Sequence, residues 1–225
     1  VQVRFPEVMA RVRSVIQAIE PHDSVERFTG LGVDCVQGEA RILSPWEVSV
    51  DGRRLSARHI IIASGARPRV PDIEGLQELD YLTSDTVWEL EEAPPRLLVL
   101  GAGPIGCELA QAFARLGSRV TLVTRAERLL PREDPEVSEL VLETFQAQGV
   151  DVLTGHEPLS FALGEEGQIG MFDSRWGKRE LVFDRLLLSV GRSANVEGMG
   201  LEELGIGLTE QGTVEVDDYL RTAVP

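Results

Sequence analysis

Residues Leu97 to Arg125 read LLVLGAGPIGCELAQAFARLGSRVTLVTR, and this stretch decides the fold. Leu97, Leu98, Val99 and Leu100 predict a buried strand, and Gly101-x-Gly103-x-x-Gly106 follows at once. Apolar residues at Ile105, Leu109, Ala112, Phe113 and Leu116 then predict a helix; Gly117 follows it, and Val120 to Val123 predict a second strand. Strand, glycine turn, helix and strand within about 30 residues make a βαβ unit with a dinucleotide fingerprint in its first turn. Each glycine has a separate job: Gly101 makes the tight turn, Gly103 lets backbone approach a pyrophosphate, and Gly106 lets the helix sit close to the strand. Unpaired N–H groups and the positive end of the helix dipole then face the phosphates, which adds Pro104 and Ile105 to the cofactor-binding candidates.

Composition bounds the rest. A chain of 225 residues that is 43% apolar can build one large core or two modest ones. No apolar run approaches the roughly 20 residues of a membrane span, and the opening VQVRFPEV lacks the features of a signal peptide, so a soluble, cytoplasmic chain without a membrane partner is expected. A net charge of -15, with Lys178 the only lysine and the arginines scattered among acids, argues against a nucleic-acid partner. Cys35 and Cys107 form no CxxC or CxxxxC pair, so they read as small buried residues rather than as a metal site or redox dithiol. His22, His59 and His156 have no metal-ligand spacing, and no Ser/His/Asp arrangement is visible. No catalytic residue and no metal ligand is assigned. Acid pairs Glu91-Glu92 and Glu202-Glu203 belong on solvated faces.

The interior contains an echo. DGRRLSARHIIIASGARP (Asp51 to Pro68) and WGKRELVFDRLLLSVGRSA (Trp176 to Ala194) share a Gly-basic-Arg hairpin turn, a polar-apolar strand, an arginine, an apolar strand and a glycine, Gly65 or Gly191. The apolar strands are Ile60 to Ala63 and Leu186 to Ser189. Two copies of one dinucleotide-binding fold would produce this pattern. The second copy is complete from Gly101; the first has only a helix (Val8 to Ile19), a strand near Val33 to Val36 and the hairpin before Gly65. In the second, Asp134 and Pro135 start a helix with Val137, Leu140, Val141 and Phe145 along one face, Gly149 stops it, and strand Val150 to Leu153 follows. Leu159 to Phe183 then alternates as an antiparallel meander with turns at Gly164 to Gly167 and at Trp176-Gly177. The expected fold is α/β and Rossmann-like, a parallel sheet with helices and a β-meander plus a partial second copy. Val1 is not methionine and the chain stops at RTAVP, so a piece of a longer protein is expected.

With the fingerprint, IIIASGARPRVPDIEG (Ile60 to Gly75), SVGRSANVEGMGLEELGI (Ser189 to Ile206) and the closing VDDYLRTAVP, the chain resembles the pyridine nucleotide-disulphide oxidoreductases. PREDPEVSELV (Pro131 to Val141) looks most like the mercuric reductase and lipoamide dehydrogenase branch. The resemblance implies a partial FAD-binding domain over 1–82, an NAD(P)H-binding domain over 83–212 and a return into the FAD domain over 213–225. It implies hydride transfer from nicotinamide to FAD in the full-length parent, with FAD held only there and the parent a homodimer through a further domain. The family's FAD glycine fingerprint, its CxxxxC and its His-Glu pair have no match in this sequence, so the chain alone is expected to be inactive. A flavoprotein without a redox disulphide, as in ferredoxin-reductase-like or NADH-oxidase-like relatives, and a non-catalytic nucleotide-binding module are the alternatives.

The resemblance also assigns residues. Glu108 matches the acid that contacts the nicotinamide carboxamide and should be partly buried; Gly191 ends the last buried strand on the ligand side; Ser64 and Gly65 close the FAD-domain strand. An NAD site places Asp or Glu about 20 residues beyond the glycines. Here Thr124 stands at that strand end, followed by Arg125 and, three residues on, Arg128. A guanidinium pairs with a 2′-phosphate that an acid would repel, and Arg125 matches an arginine of NADPH-using members, so NADPH is favoured over NADH. Glu127 places an opposing charge nearby, and the second arginine of the glutathione reductase pattern falls on Leu130-Pro131 and is not matched.

Overall fold

The apolar run at Leu97 forms the middle strand of a parallel sheet. A computed structural model describes residues 3–224; the outermost positions of the expected segments 1–82 and 213–225, residues 1, 2 and 225, lie outside them. The elements are, in chain order, α1 (Phe5–Ile19), α2 (Val25–Gly30), β1 (Ala40–Ser44), β2 (Glu47–Val50), β3 (Arg53–Ser56), β4 (Ala66–Pro68), β5 (Tyr81–Leu82) and β6 (Arg96–Leu100). They continue with α3 (Pro104–Arg115), β7 (Arg119–Val123), α4 (Pro135–Ala147), β8 (Asp151–Leu153), β9 (His156–Gly164), β10 (Gly167–Ser174), β11 (Arg179–Phe183), β12 (Arg185–Leu188) and β13 (Arg192–Ala194). Two compact units result: one takes the chain up to Ile16 and Pro68–Gly191, the other Gln17–Arg67 and the chain from Arg192 onward. These divisions differ from 1–82, 83–212 and 213–225. Strand β5 joins the parallel sheet, which draws the segment after Pro68 into the first unit, and Leu201 and Ile206 pack on Ile42 in the second.

In the first unit the sheet order is β5-β12-β6-β7-β8, with every pairing parallel. Successive side chains of a strand point to opposite faces, and both faces of β6 are covered, which is why the run Leu97 to Leu100 is apolar without a break. Leu97 and Val99 pack with Phe113 of α3, Phe145 of α4 and Phe5 and Met9 of α1. Leu98 and Leu100 face the expected meander, whose strands run in the order β11-β10-β9. Phe161, Phe172 and Phe183 fill that layer, with Phe161 edge-on to both others at 81° and 84°. The two meander turns lie at opposite ends of the sheet. Arg96, at the amino end of β6, donates to the Glu166 carbonyl at 2.5 Å, whereas Ser174 pairs with His156 just beyond the carboxyl end of β8.

The second unit holds the antiparallel sheet β1-β2-β3 and the pair β13-β4, around Ile42, Leu201 and Ile206. Turns at Asp51-Gly52 and Trp176-Gly177 stand where the repeat places them, so two antiparallel triplets share one plan. Two expected strands are absent. Val33 to Val36 and Ile60 to Ala63 are irregular, and Ile61 is 89% exposed. Their backbone groups find no strand alongside among the described residues, whereas the counterpart β12 is hydrogen-bonded between β5 and β6.

Helices α1, α3 and α4 all form; in α3 and α4 Leu109, Phe113, Leu116, Val141 and Phe145 reach the core as expected, while other expected residues turn outward. Helix α3 buries Gly106, Cys107, Ala110 and Phe113, leaving Ile105 and Ala112 outside. Helix α4 turns Ser138, Val141, Leu142 and Phe145 inward, while Val137 is exposed and Leu140 is 64% exposed. The Ser138 hydroxyl donates to the Leu129 carbonyl at 2.6 Å, which satisfies a buried polar group and fixes the helix rotation.

Candidate dinucleotide-binding site

The chain leaves β6 through Gly101, whose φ of 110° lies in the region that side chains disfavour. A Cβ there would run into the Ser189 carbonyl. Gly106 is equally constrained for another reason: its Cβ would collide with the Gly101 carbonyl oxygen and come within 2.6 Å of the Ser189 hydroxyl. Gly103 differs from both. It has an ordinary extended backbone, φ -75° and ψ -179°, and nothing lies within 4 Å of where its Cβ would be. Two glycines close the turn and the third leaves space above it.

That space is bordered by unpaired donors. Gly103 is the N-cap of α3 and supplies no side-chain cap; its carbonyl takes the Cys107 amide at 3.0 Å. Pro104 has no N–H, and the Ile105 and Gly106 amides have no acceptor among the described residues. The start of a twelve-residue helix therefore offers two free N–H groups and the positive end of its dipole over an open glycine. A pyrophosphate is an anion of the right kind for this cradle.

Ser189, which sequence reading overlooks, braces the turn from below. Its hydroxyl lies 2.9 and 3.1 Å from the Leu100 and Gly101 carbonyls, and its amide donates to Leu100 at 2.8 Å. The only signal for it is its place at the end of the apolar run before Gly191. Gly191 itself is exposed, with φ 115°, and its carbonyl accepts from the Arg69 amide at 3.0 Å. The Glu108 carboxylate is exposed rather than partly buried, because α3 turns its small residues to the sheet and leaves Ile105 and Glu108 together on the open side. Burial pushes the Cys107 thiol up to about 11, in keeping with an inert core cysteine.

At the end of β7, Thr124 is buried. Its amide donates to Leu153 and its hydroxyl accepts from the Ala126 amide at 3.1 Å. Arg125 is exposed and has no carboxylate within ion-pair distance among the described residues. Arg128 is turned elsewhere: its guanidinium donates to the Pro131 and Glu133 carbonyls at 3.0 and 3.1 Å. In the second unit, Gly65 has φ 71° and Ser64 gives its carbonyl to Asn195 at 3.0 Å, while Arg67 donates to Asn195 at 3.1 Å. A cleft of about 580 Å³ lined by Asp80, Glu89, Glu91, Glu92 and Arg185 lies at the amino end of β12, away from the glycine turn.

The model of the pyridine nucleotide-disulphide oxidoreductases matches residues 4–225. The chain belongs to that family. It is 35% identical to a mercuric reductase of Staphylococcus aureus, over 89% of this chain and 36% of the relative. It is 33% identical to a glutathione reductase of Burkholderia cepacia, over 96% of this chain and 45% of the relative. Among solved structures, the HOCl-induced flavoprotein disulfide reductase RclA from Escherichia coli superimposes with a TM-score of 0.85 at 28% identity, covering 99% of this chain and 51% of that one. The chain thus spans 36–51% of the length of these three proteins. No helix among the described residues is long and apolar enough to cross a membrane, and no group of His, Cys, Asp and Glu there could hold a metal ion.

Proposed function

We propose that this chain holds NAD(P)H at the Gly101–Gly106 turn and, as part of a longer flavoprotein oxidoreductase, presents the nicotinamide to FAD. The observation that carries this reading is the cradle: free Ile105 and Gly106 amides and open space over Gly103 at the positive end of α3. Gly101 and Gly106 bring helix and strand close enough for those amides to reach the pyrophosphate. Glu108, on the open side beside Ile105, accepts from the nicotinamide carboxamide and sets the ring's orientation, and Gly191 leaves the opposite strand end uncrowded. When bound, the nicotinamide supplies a hydride that the flavin accepts. Binding, alignment and exclusion of water are the chain's part. Ser64 and Gly65 belong to the flavin side; no glycine-rich strand-to-helix turn stands among the described residues of their unit, so an FAD phosphate site is not assigned to it.

The nucleotide in this reading is NADPH. Thr124 replaces the acid that would hold ribose hydroxyls, and Arg125 offers an unpaired guanidinium beside it. Equilibrium titration is expected to give NADP(H) at least about tenfold tighter binding than NAD(H), about 1.4 kcal/mol, with the preference lost in Arg125→Ala and weakened by salt. Equal affinities, or tighter binding of NAD(H), would overturn the NADPH assignment.

A further inference from the structure

Arg175 stands in the turn between β10 and β11, and its guanidinium lies over the Trp176 indole, 4.2 Å from the ring centroid. Among the described residues no carboxylate is within ion-pair distance of it. Trp176 is 66% exposed and rests against the buried His156, with ring centroids 6.0 Å apart. His156 is fixed in turn. Its backbone amide donates to the Thr124 carbonyl at 3.0 Å, and its Nδ1 lies 2.7 Å from the Thr154 carbonyl, which can only accept, so the ring proton is on Nδ1. A stack of guanidinium, indole and imidazole therefore starts at the strand end that carries Thr124 and Arg125. The turn lies at the carboxyl ends of the parallel strands, where this fold binds ligands.

We infer that Arg175 is a second cationic ligand for the adenosine 2′-phosphate of NADP(H), held in place by Trp176 and His156. This rests on the NADPH reading above. Glu127, two residues from Arg125 in the chain, brings an opposing charge to this strand end; its carboxylate lies against Gly155, whose Cβ would be 3.5 Å from it. Arg128 is committed to loop carbonyls. Arg175, with Lys178 in the same turn, adds positive charge at this strand end to offset Glu127 and the hairpin's own Asp173 and Glu157. Stacking on an indole occupies the face of the guanidinium and leaves its N–H edge open, which is the geometry that pairs with two phosphate oxygens. Ordering by the indole also reduces the rotamer freedom lost when the phosphate arrives.

The test titrates the protein and its Arg175→Ala, Trp176→Leu and Arg125→Ala variants with NADP⁺, NAD⁺, 2′,5′-ADP and 5′-AMP. Arg175→Ala is expected to weaken NADP⁺ and 2′,5′-ADP by at least about tenfold and to leave NAD⁺ and 5′-AMP within about twofold. Trp176→Leu, which keeps the guanidinium but removes its platform, should weaken the same two ligands by a smaller factor. If Arg175→Ala leaves NADP⁺ binding intact while Arg125→Ala weakens it, Arg175 has no such role and the NADPH reading stands. Equal weakening of NADP⁺ and NAD⁺ also overturns the role, since it places Arg175 on a part common to both. A wild-type protein without preference for NADP⁺ over NAD⁺ removes the NADPH reading and this inference together.

Discussion

Gly103 and Gly106 are three residues apart in one turn, and what a methyl group would meet at each is entirely different. At Gly106 it would strike the Gly101 carbonyl, a backbone atom that cannot rotate away. Gly106→Ala is therefore expected to lower stability by about 1–3 kcal/mol through overpacking, read as a lower midpoint in urea unfolding. An unchanged midpoint would show that α3 and β6 are not held as close as described. The tight turn at Gly101 and the close helix–strand approach at Gly106 are legible in the spacing of the sequence. The conduct of charged side chains is not, because each depends on groups distant in sequence or on local backbone. Arg128 looks like a phosphate ligand in the linear text, yet it spends its donors on Pro131 and Glu133. Arg175 gives no sign of itself there; only the β9–β10 pairing brings its turn beside His156 and the end of β7.

Among the elements, apolar periodicity places α3 and α4 and most of their core-facing residues, but Ile105, Ala112, Val137 and Leu140 turn outward. Side-chain size is the reason. Close approach of α3 to the sheet requires Gly106, Cys107 and Ala110 on the inner side, so the larger Ile105 is displaced outward. Strand Ile60 to Ala63 fails for a different cause: an apolar run becomes a parallel strand only when neighbours complete its ladder, and composition cannot supply them. A third feature ties two elements together. Asp184 accepts from the Arg96 side chain at 2.6 and 3.1 Å and from its amide at 2.8 Å, clamping the start of β12 to the start of β6. The Arg96 guanidinium holds the Asp184 carboxyl below its ordinary value of 3.8. A lowered carboxyl contributes stability that is present above its ordinary value and lost as pH falls through the lowered one. Asp184→Asn should melt a few degrees lower than wild type at neutral pH, with the gap closing below about pH 4. A gap that stays undiminished as the pH falls below about 4 would assign the loss to something other than the ionised carboxylate.

The molecule as a whole combines a parallel sheet covered on both sides with a second unit that shares its hairpin plan. Order, hand-off and meander are readable in the sequence because glycines and apolar runs mark each change of direction. The compact units are not, since their limits follow from where β5 and the segment around Leu201 pack. The Gly101–Gly106 turn is proposed above as a dinucleotide site and not merely a tight connection. Gly103→Val tests it most directly, because its extended backbone accepts a side chain and nothing within 4 Å would be displaced. Calorimetric titration with NADPH, paired with a thermal melt, is expected to show binding lost in a protein that still folds, its stability lowered by about 0.5–2 kcal/mol because valine is a poorer N-cap than glycine. Wild-type affinity in a normally folded Gly103→Val protein would contradict the account.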